Sequence, residues 1–369
     1  MLYTLNDMKY SCEILDQYTI DPVKWNELVE NSEAGVPFAY YGYNACFKPS
    51  NIFYIVVIDE KTNIYIAGIT GRIQGILPII GKRLASIWIE SSVLLDCHHE
   101  TIRDEKINEF KLYIYNCLIN YAKKLKVVQV FFNHWTRENN CLILKELSFN
   151  VTENATFELN IEKNDIDEII KSRCRNSIKK ANSNGIKCSF FHNISAETFS
   201  NVEKLSKDTY KRTLLKNNKS SIQIKSKYFY EILKKNIPDS FIIGIAYDIK
   251  KEPISFALVL SDRKRAIYYK GGSDYEKNRQ TSASNLLLYD FIKLLKSIGI
   301  KYFDLGGVPY KPTPNHPAYG VYKFKESFGG ELKVYYSGYY VVNRFKYFLY
   351  KMVLSNHALK RLVNMIINK

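Results

Sequence analysis

Between Gly299 and Glu331 the chain reads GIKYFDLGGVPYKPTPNHPAYGVYKFKESFGGE. It sets a carboxylate, Asp304, beside the pair Gly306-Gly307, and follows a proline-rich loop with Tyr322, Lys323, Phe324 and Lys325. A lysine ammonium can stabilise a developing oxyanion or hold an anion, and a carboxylate can orient an amine. Two blander readings stand beside these: Lys325 as a surface lysine in a Lys-rich chain, and Asp304 as the cap of a glycine turn. The elements needed to position the two groups are a buried strand over Ile300 to Leu305, a break at the glycines, and a short helix carrying the lysines. Pro309 to Pro317 would then form a loop at the edge of the site, a common arrangement because a rigid strand can present a loop to a ligand.

A length of 369 residues exceeds what one core usually spans, so two domains are expected. Hydrophobic residues make up 46% and aromatics 14%, which suffices for two packed cores and excludes a disordered chain. The formal charge is +16, from 53 Lys and Arg against 37 Asp and Glu, and favours an anionic partner: nucleic acid, a phospholipid surface or a phosphorylated substrate. The seven cysteines are scattered, with no C-x-x-C pair, which argues against a disulfide framework and a zinc knuckle. Cys97-His98-His99 lacks a second pair of ligands nearby, and no metal site is expected. The N-terminal MLYTLNDMKYSCEI has no apolar signal segment, and glycines, Arg72 and Pro78 interrupt the apolar window Ile64 to Ile80; a cytosolic protein is expected.

In chain order, Asp21-Pro22 ahead of Trp25, Leu28 and Val29 predicts a helix over Pro22 to Asn31. Phe38, Tyr40, Tyr41, Tyr43 and Phe47 read as a second short helix. Asn51 to Leu95 reads as an antiparallel meander with turns at Lys61 to Asn63, Gly71 and Gly81-Lys82. A helix over Asp104 to Lys124, a strand over Val127 to Phe132 and a helix around Asn140 to Leu147 complete the first unit. The second unit repeats this order. It opens with a strand near Phe149 to Asn160 and includes a basic helix over Arg173 to Asn182. Its own meander is FIIGIAYD, PISFALVLSD and RAIYYKGG, and a helix from Ser282 to Ser297 leads back to the opening stretch. The whole reads as a duplicated α/β chain of mixed α+β sheets.

Two basic surfaces stand out. Arg173, Arg175, Lys179 and Lys180 suit a phosphate backbone, or else form a solvated helix face. The C-terminal segment from Tyr339 has no acid and reads as amphipathic helices, one with Val341, Phe345, Phe348, Leu349 and Met352 on a face, another with Leu359, Leu362, Val363 and Ile366. Such helices either lie on an anionic membrane or pack on the protein.

The run YYKGGSDYEKNRQTSASNLLLYDFIKLLKSIGIKYFDLGGV, followed by YGVYKFKESFGGE, resembles the second domain of the Fem family. RCRNSIKKANSNGIK and KDTYKRTLL also resemble segments of that family, and the likeness covers about Thr156 to Gly338. Fem proteins are peptidyl transferases that use aminoacyl-tRNA to extend the stem peptide of peptidoglycan precursors. The resemblance implies two tandem acetyltransferase-like (GNAT) domains with a cleft between them, at residues 1–153 and 154–333. Residues 334–369 would return to the first domain as a basic helical tail. The long helical arm of some members has no room here.

By the same resemblance Lys325 contacts the oxyanion or the tRNA terminus; Asp304, read from its place at the strand end, is the second catalytic candidate and would orient the amine or a lysine. Tyr268, Lys323 and Tyr322 would line the substrate site. Thr209 and Arg212 would bind the precursor, the guanidinium holding a carboxylate or phosphate. Arg173, Arg175, Lys179 and Lys180 would meet the tRNA. Expected partners are tRNA, a lipid-linked or nucleotide-linked murein precursor, and the inner face of the plasma membrane through the tail, with no resident cofactor.

An alternative on the same fold is an acyl-CoA-dependent N-acyltransferase acting on a sugar or sugar nucleotide. Acyl-CoA users carry Gln/Arg-x-x-Gly-x-Gly/Ala so that backbone N–H groups can reach the pyrophosphate. Here the matching turn is Arg279-Gln280-Thr281-Ser282-Ala283-Ser284, without the glycines. A third reading is a noncatalytic RNA- or membrane-binding module.

Overall fold

The structure is a computed structural model that describes residues 10–77, 84–133, 141–163, 165–192, 194–217 and 227–355. It divides into two compact units, one made of residues 1–153 and 335–369, the other of residues 154–334.

The first unit contains β1 (Tyr10–Asp16), α1 (Pro22–Asn31), α2 (Tyr41–Asn44), β2 (Ile52–Asp59), β3 (Ile64–Leu77), β4 (Leu84–Ile89), β5 (Leu94–Leu95), α3 (Asp104–Lys124), β6 (Gln129–Asn133) and α4 (Cys141–Glu146). β7 (Asn150–Asn160) then takes the chain into the second unit. Helix α1 starts where the sequence places it, because Asp21 accepts from the N–H groups of Val23 and Lys24 and Pro22 presets the first turn. Phe110, Ile114 and Leu118 of α3 are buried against Phe53, Ile55, Ile66 and Ile69 of β2 and β3. Two expectations are corrected. Tyr10–Asp16, in a segment read only for targeting signals, is a strand paired antiparallel to β2. Gly71, expected in a turn, lies inside the single long strand β3, where a Cβ would come within 2.4 Å of Ile89 and 2.7 Å of Phe53. A glycine that makes room for neighbouring side chains has the same sequence signature as a turn glycine.

The second unit continues with α5 (Ile166–Ile169), α6 (Ser172–Ser183), β8 (Lys187–Phe191), α7 (Ala196–Asn217), α8 (Lys227–Asn236), β9 (Phe241–Tyr247), β10 (Pro253–Ser261), β11 (Arg265–Ser273), α9 (Tyr275–Thr281), α10 (Ala283–Ser297), β12 (Tyr302–Val308) and α11 (Tyr319–Glu326). β13 (Glu331–Val341) returns the chain to the first unit, and α12 (Arg344–Ser355) follows. The sheet of the second unit runs β7-β12-β11-β10-β9-β8 and is mixed, with β11 and β12 parallel and the other neighbours antiparallel. Helix α10 buries Leu287, Phe291 and Leu295 in the core that also takes Ile242, Ala246 and Ala257 of the sheet. Cys174, Ile178 and Ala181 of α6 belong to the same core, so the cationic residues of that helix are turned outward.

In the first unit's sheet the order is β1-β2-β3-β4-β6-β13, with β5 on β3. Residues 339–341, expected to be helical, are strand: Tyr339 to Val341 pair with Gln129 to Phe131. The expected helix through Leu359 to Ile366 and the end of the Ile64 to Ile80 window lie outside the described residues. No helix among the described residues is long and apolar enough to cross a membrane.

Candidate active site

The glycines after Asp304 do not break β12. Against β7, Asp304 faces Glu158 and Gly307 faces Thr156, so β12 spends one residue more than its partner between those positions. The extra residue makes a β-bulge, and Gly306 takes the left-handed φ of +78° that such a bulge favours in glycine. The strand therefore runs on to Val308, and the bulge turns two carbonyls toward α11.

Lys325, in the last turn of α11, occupies that position. Its Nζ donates to the carbonyls of Gly306 at 2.9 Å and Gly307 at 3.1 Å, and lies 5.7 Å from the centroid of the Tyr268 ring. The residue is only 7% exposed, so the reading as a surface lysine is excluded. Burial lowers its pKa to about 8, against an opposing pull upward from Asp304. Two carbonyls use two of the ammonium's three donors, and the third can serve an acceptor on a substrate.

Asp304 is buried as well. Its Oδ1 accepts from the Gly306 N–H at 2.6 Å and from the hydroxyl of Thr156, which also lies 3.0 Å from the Gly306 carbonyl. Burial raises the carboxyl pKa to about 6, and the two hydrogen bonds act in the opposite direction. The capping reading of Asp304 is the one seen here: its carboxylate caps the glycine bulge, and the carbonyls of that bulge hold the lysine.

Thr156 is the member that sequence reasoning missed. We expect Thr156→Val to cost about 1–2 kcal/mol, because Asp304 loses a donor while staying buried, and Thr156→Ser to recover most of it. Urea denaturation of the two variants measures this.

The other expected residues are placed as follows. Tyr268 sits on β11, where burial raises its pKa to about 12, and the β11–β12 ladder ends just before it, at Ile267 opposite Asp304. Tyr322 packs edge-on against Phe157, with ring centroids 5.1 Å apart. The structure does not bring Lys323 to Lys325: its ammonium pairs with Glu326. Thr209 Oγ1 accepts from the Ser273 N–H at 2.8 Å and anchors α7 to the end of β11. Arg212 is in α7, and its side chain lies outside the described residues. Arg173, Arg175, Lys179 and Lys180 are exposed on α6, with Arg175 donating to the Asp167 carbonyl and Lys180 to the Arg279 carbonyl.

The start of α10 is where an acyl-CoA pyrophosphate would be received, and the residues present do not fit it. Ser282 takes a left-handed φ of 60°, the Ser284 N–H is satisfied at 2.8 Å by Asn278 Oδ1, and the Asn285 N–H by the Ser282 carbonyl at 3.0 Å. Two of the backbone donors that a phosphate would use at this helix start are thus engaged inside the protein. Among the described residues, no group of three or more His, Cys, Asp or Glu could hold a metal ion.

A family model described as an acetyltransferase (GNAT) domain matches residues 171–326. No curated protein matches the sequence. Among solved structures, the chain is similar to FemX, at 14% identity and a TM-score of 0.65, covering 91% of this chain and 99% of that one. It is also similar to L-PGS from Bacillus licheniformis, at 11% identity and a TM-score of 0.56, covering 90% and 97%. A tandem GNAT protein from the clavulanic acid biosynthesis pathway aligns at 9% identity and a TM-score of 0.55, covering 91% and 99%. At such identities the likeness is one of fold: an α/β mixed-sheet fold of the GNAT type, resembling that of FemX.

Proposed function

We propose that this chain is an acyltransferase that moves an amino acid from aminoacyl-tRNA to an amine of the stem peptide of a peptidoglycan precursor, in a tandem arrangement of two GNAT-like domains. The observation that carries the reading is Lys325, a buried ammonium held by two backbone carbonyls where the β11–β12 ladder ends. In the reaction the acceptor amine attacks the ester carbonyl and a C–N bond forms. The carbonyl oxygen becomes an oxyanion, the C–O bond to the tRNA ribose breaks, and the proton lost by the amine ends on the ribose oxygen. The remaining donor of Lys325 would meet the oxyanion. A cation already fixed in a low-dielectric site stabilises it without reorganisation.

Asp304 keeps Lys325 charged despite burial, and Tyr268 covers the ammonium with its ring face. An aminoacyl ester is an activated donor, so positioning and electrostatics can carry most of the rate. The satisfied N–H groups at the start of α10 favour an ester of tRNA over acyl-CoA as donor. The outward cations of α6 suit a phosphate backbone.

The full chain, incubated with tRNA charged with labelled amino acid and a lipid-linked or nucleotide-linked murein precursor, is expected to add one amino acid to the precursor, read by mass. Parallel arms offer acetyl-CoA with an amino sugar, and charged tRNA with phosphatidylglycerol. Transfer in either of those arms, with none to the murein precursor, overturns the proposal. Transfer in no arm points to a noncatalytic binding module.

A further inference from the structure

Helix α12 is docked on the first unit by its polar and tyrosine side. Tyr347 stacks on Tyr339 of β13 with ring centroids 5.7 Å apart, and Lys346 Nζ donates to the Lys126 carbonyl at 2.6 Å. The opposite side carries Phe345, Phe348 and Met352, which are 71%, 61% and 50% exposed. Spacings of three and four residues put them in one stripe, and the exposed Arg344 and Lys351 border it on one edge. Elsewhere among the described residues, large exposed apolar side chains stand singly on their elements. Core packing thus does not account for this stripe.

The charge around it has one sign. From Leu332 to Lys369 the sequence has seven Lys or Arg and no Asp or Glu, and Lys123, Lys124 and Lys126 are exposed beside the segment that α12 packs on. A second copy of this surface would bring like charges together, and a folded partner gives no reason for so complete a lack of acids. An anionic lipid surface satisfies both features: the phenylalanines enter the boundary between headgroups and acyl chains while the cations meet phosphates.

We propose that α12 is an interfacial anchor that docks the protein on anionic phospholipid. The anchor does not depend on the acyl-transfer reading, since none of its residues belongs to the candidate active site.

The test is flotation of the full chain with vesicles of phosphatidylcholine alone or with about one third phosphatidylglycerol. The wild type is expected to float with the anionic vesicles only, and to be released as salt is raised from about 0.1 M to about 1 M. Phe345→Ser with Phe348→Ser should weaken binding roughly tenfold or more, because it removes the inserted area and leaves the cations. These substitutions are on the surface, so an unchanged melting temperature shows that the fold is kept. Phe348→Trp should show a blue-shifted emission on anionic vesicles. Equal flotation of wild type and double variant, or no flotation with anionic vesicles at low salt, overturns the proposal. So does a loss of self-association in the double variant, which would assign the stripe to a second copy.

Discussion

Lys325→Met is expected to lower kcat for acyl transfer by about 10²- to 10³-fold, a loss of about 3–4 kcal/mol of transition-state stabilisation, with little change in KM. The length and apolar stem of the side chain are kept, and only the charged head is removed. The effect falls on kcat because the ammonium acts on an oxyanion that exists only along the reaction path. The fold should survive, since removing a buried charge relieves a desolvation cost at the same time as it leaves the Gly306 and Gly307 carbonyls without their donor. Lys323→Met is the internal control. Lys323 is two residues away on the same helix but pairs with Glu326, so its loss should leave the rate within about twofold. Steady-state kinetics and a thermal melt on both variants decide the matter: equal losses would mean that the lysines act through tRNA or precursor binding instead.

The second large effect is on pH dependence. Lys325 titrates at about 8 and must be protonated to act, so the rate should fall as pH rises through about 8. Asp304 titrates at about 6 and must be ionised to support the ammonium, so the rate should also fall below about 6. A bell between these limits is expected for kcat/KM, with its alkaline limb set by the lysine. Asp304→Asn removes the negative charge that favours the ammonium, so the alkaline limb should move to lower pH and the rate at pH 7 should fall several-fold or more. An alkaline limb that stays in place in this variant would show that Asp304 only holds the bulge.

Stability should follow the opposite course. The folded-state pKa of Asp304 lies above its ordinary 3.8, so the native state binds the extra proton between about 4 and 6 and loses stability as pH rises through that window. The folded-state pKa of Lys325 lies below its ordinary 10.5, so the unfolded chain holds the extra proton between about 8 and 10.5, and stability is regained as pH rises there. Each burial costs about 3 kcal/mol at neutral pH. Maximum activity and minimum stability are thus expected to coincide, the usual relation at a site that keeps buried charge for its chemistry.

Much of the framework is legible in the sequence. Asp21-Pro22 marks α1 and the apolar period marks α1 and α3, because capping and helical spacing are local signals. Segments whose state depends on distant partners were read less well. Gly71 looked like a turn because its reason, the side chains of Ile89 and Phe53, is not local. Gly306-Gly307 looked like a break because a bulge needs a neighbouring strand to be seen as one. The site followed the same rule. Lys325 and Asp304 were visible as residue types, but their burial was not, and Thr156 lies 148 positions from Asp304 in an ordinary strand context, with nothing nearby to mark it.

The path of the chain through β7 and β13 has a consequence for biosynthesis. The first unit is discontinuous: 181 residues, from Asn154 to Val334, are translated between its two parts, and β13 supplies the residues from Ser337 to Val341 that pair with β6. On the ribosome, the second unit is complete and can close while the first still lacks a strand. The nascent chain must therefore keep the edge of β6 from mispairing until Ser337 to Val341 have emerged. A premature stop anywhere before Ser337 would thus damage the half of the protein that was made first.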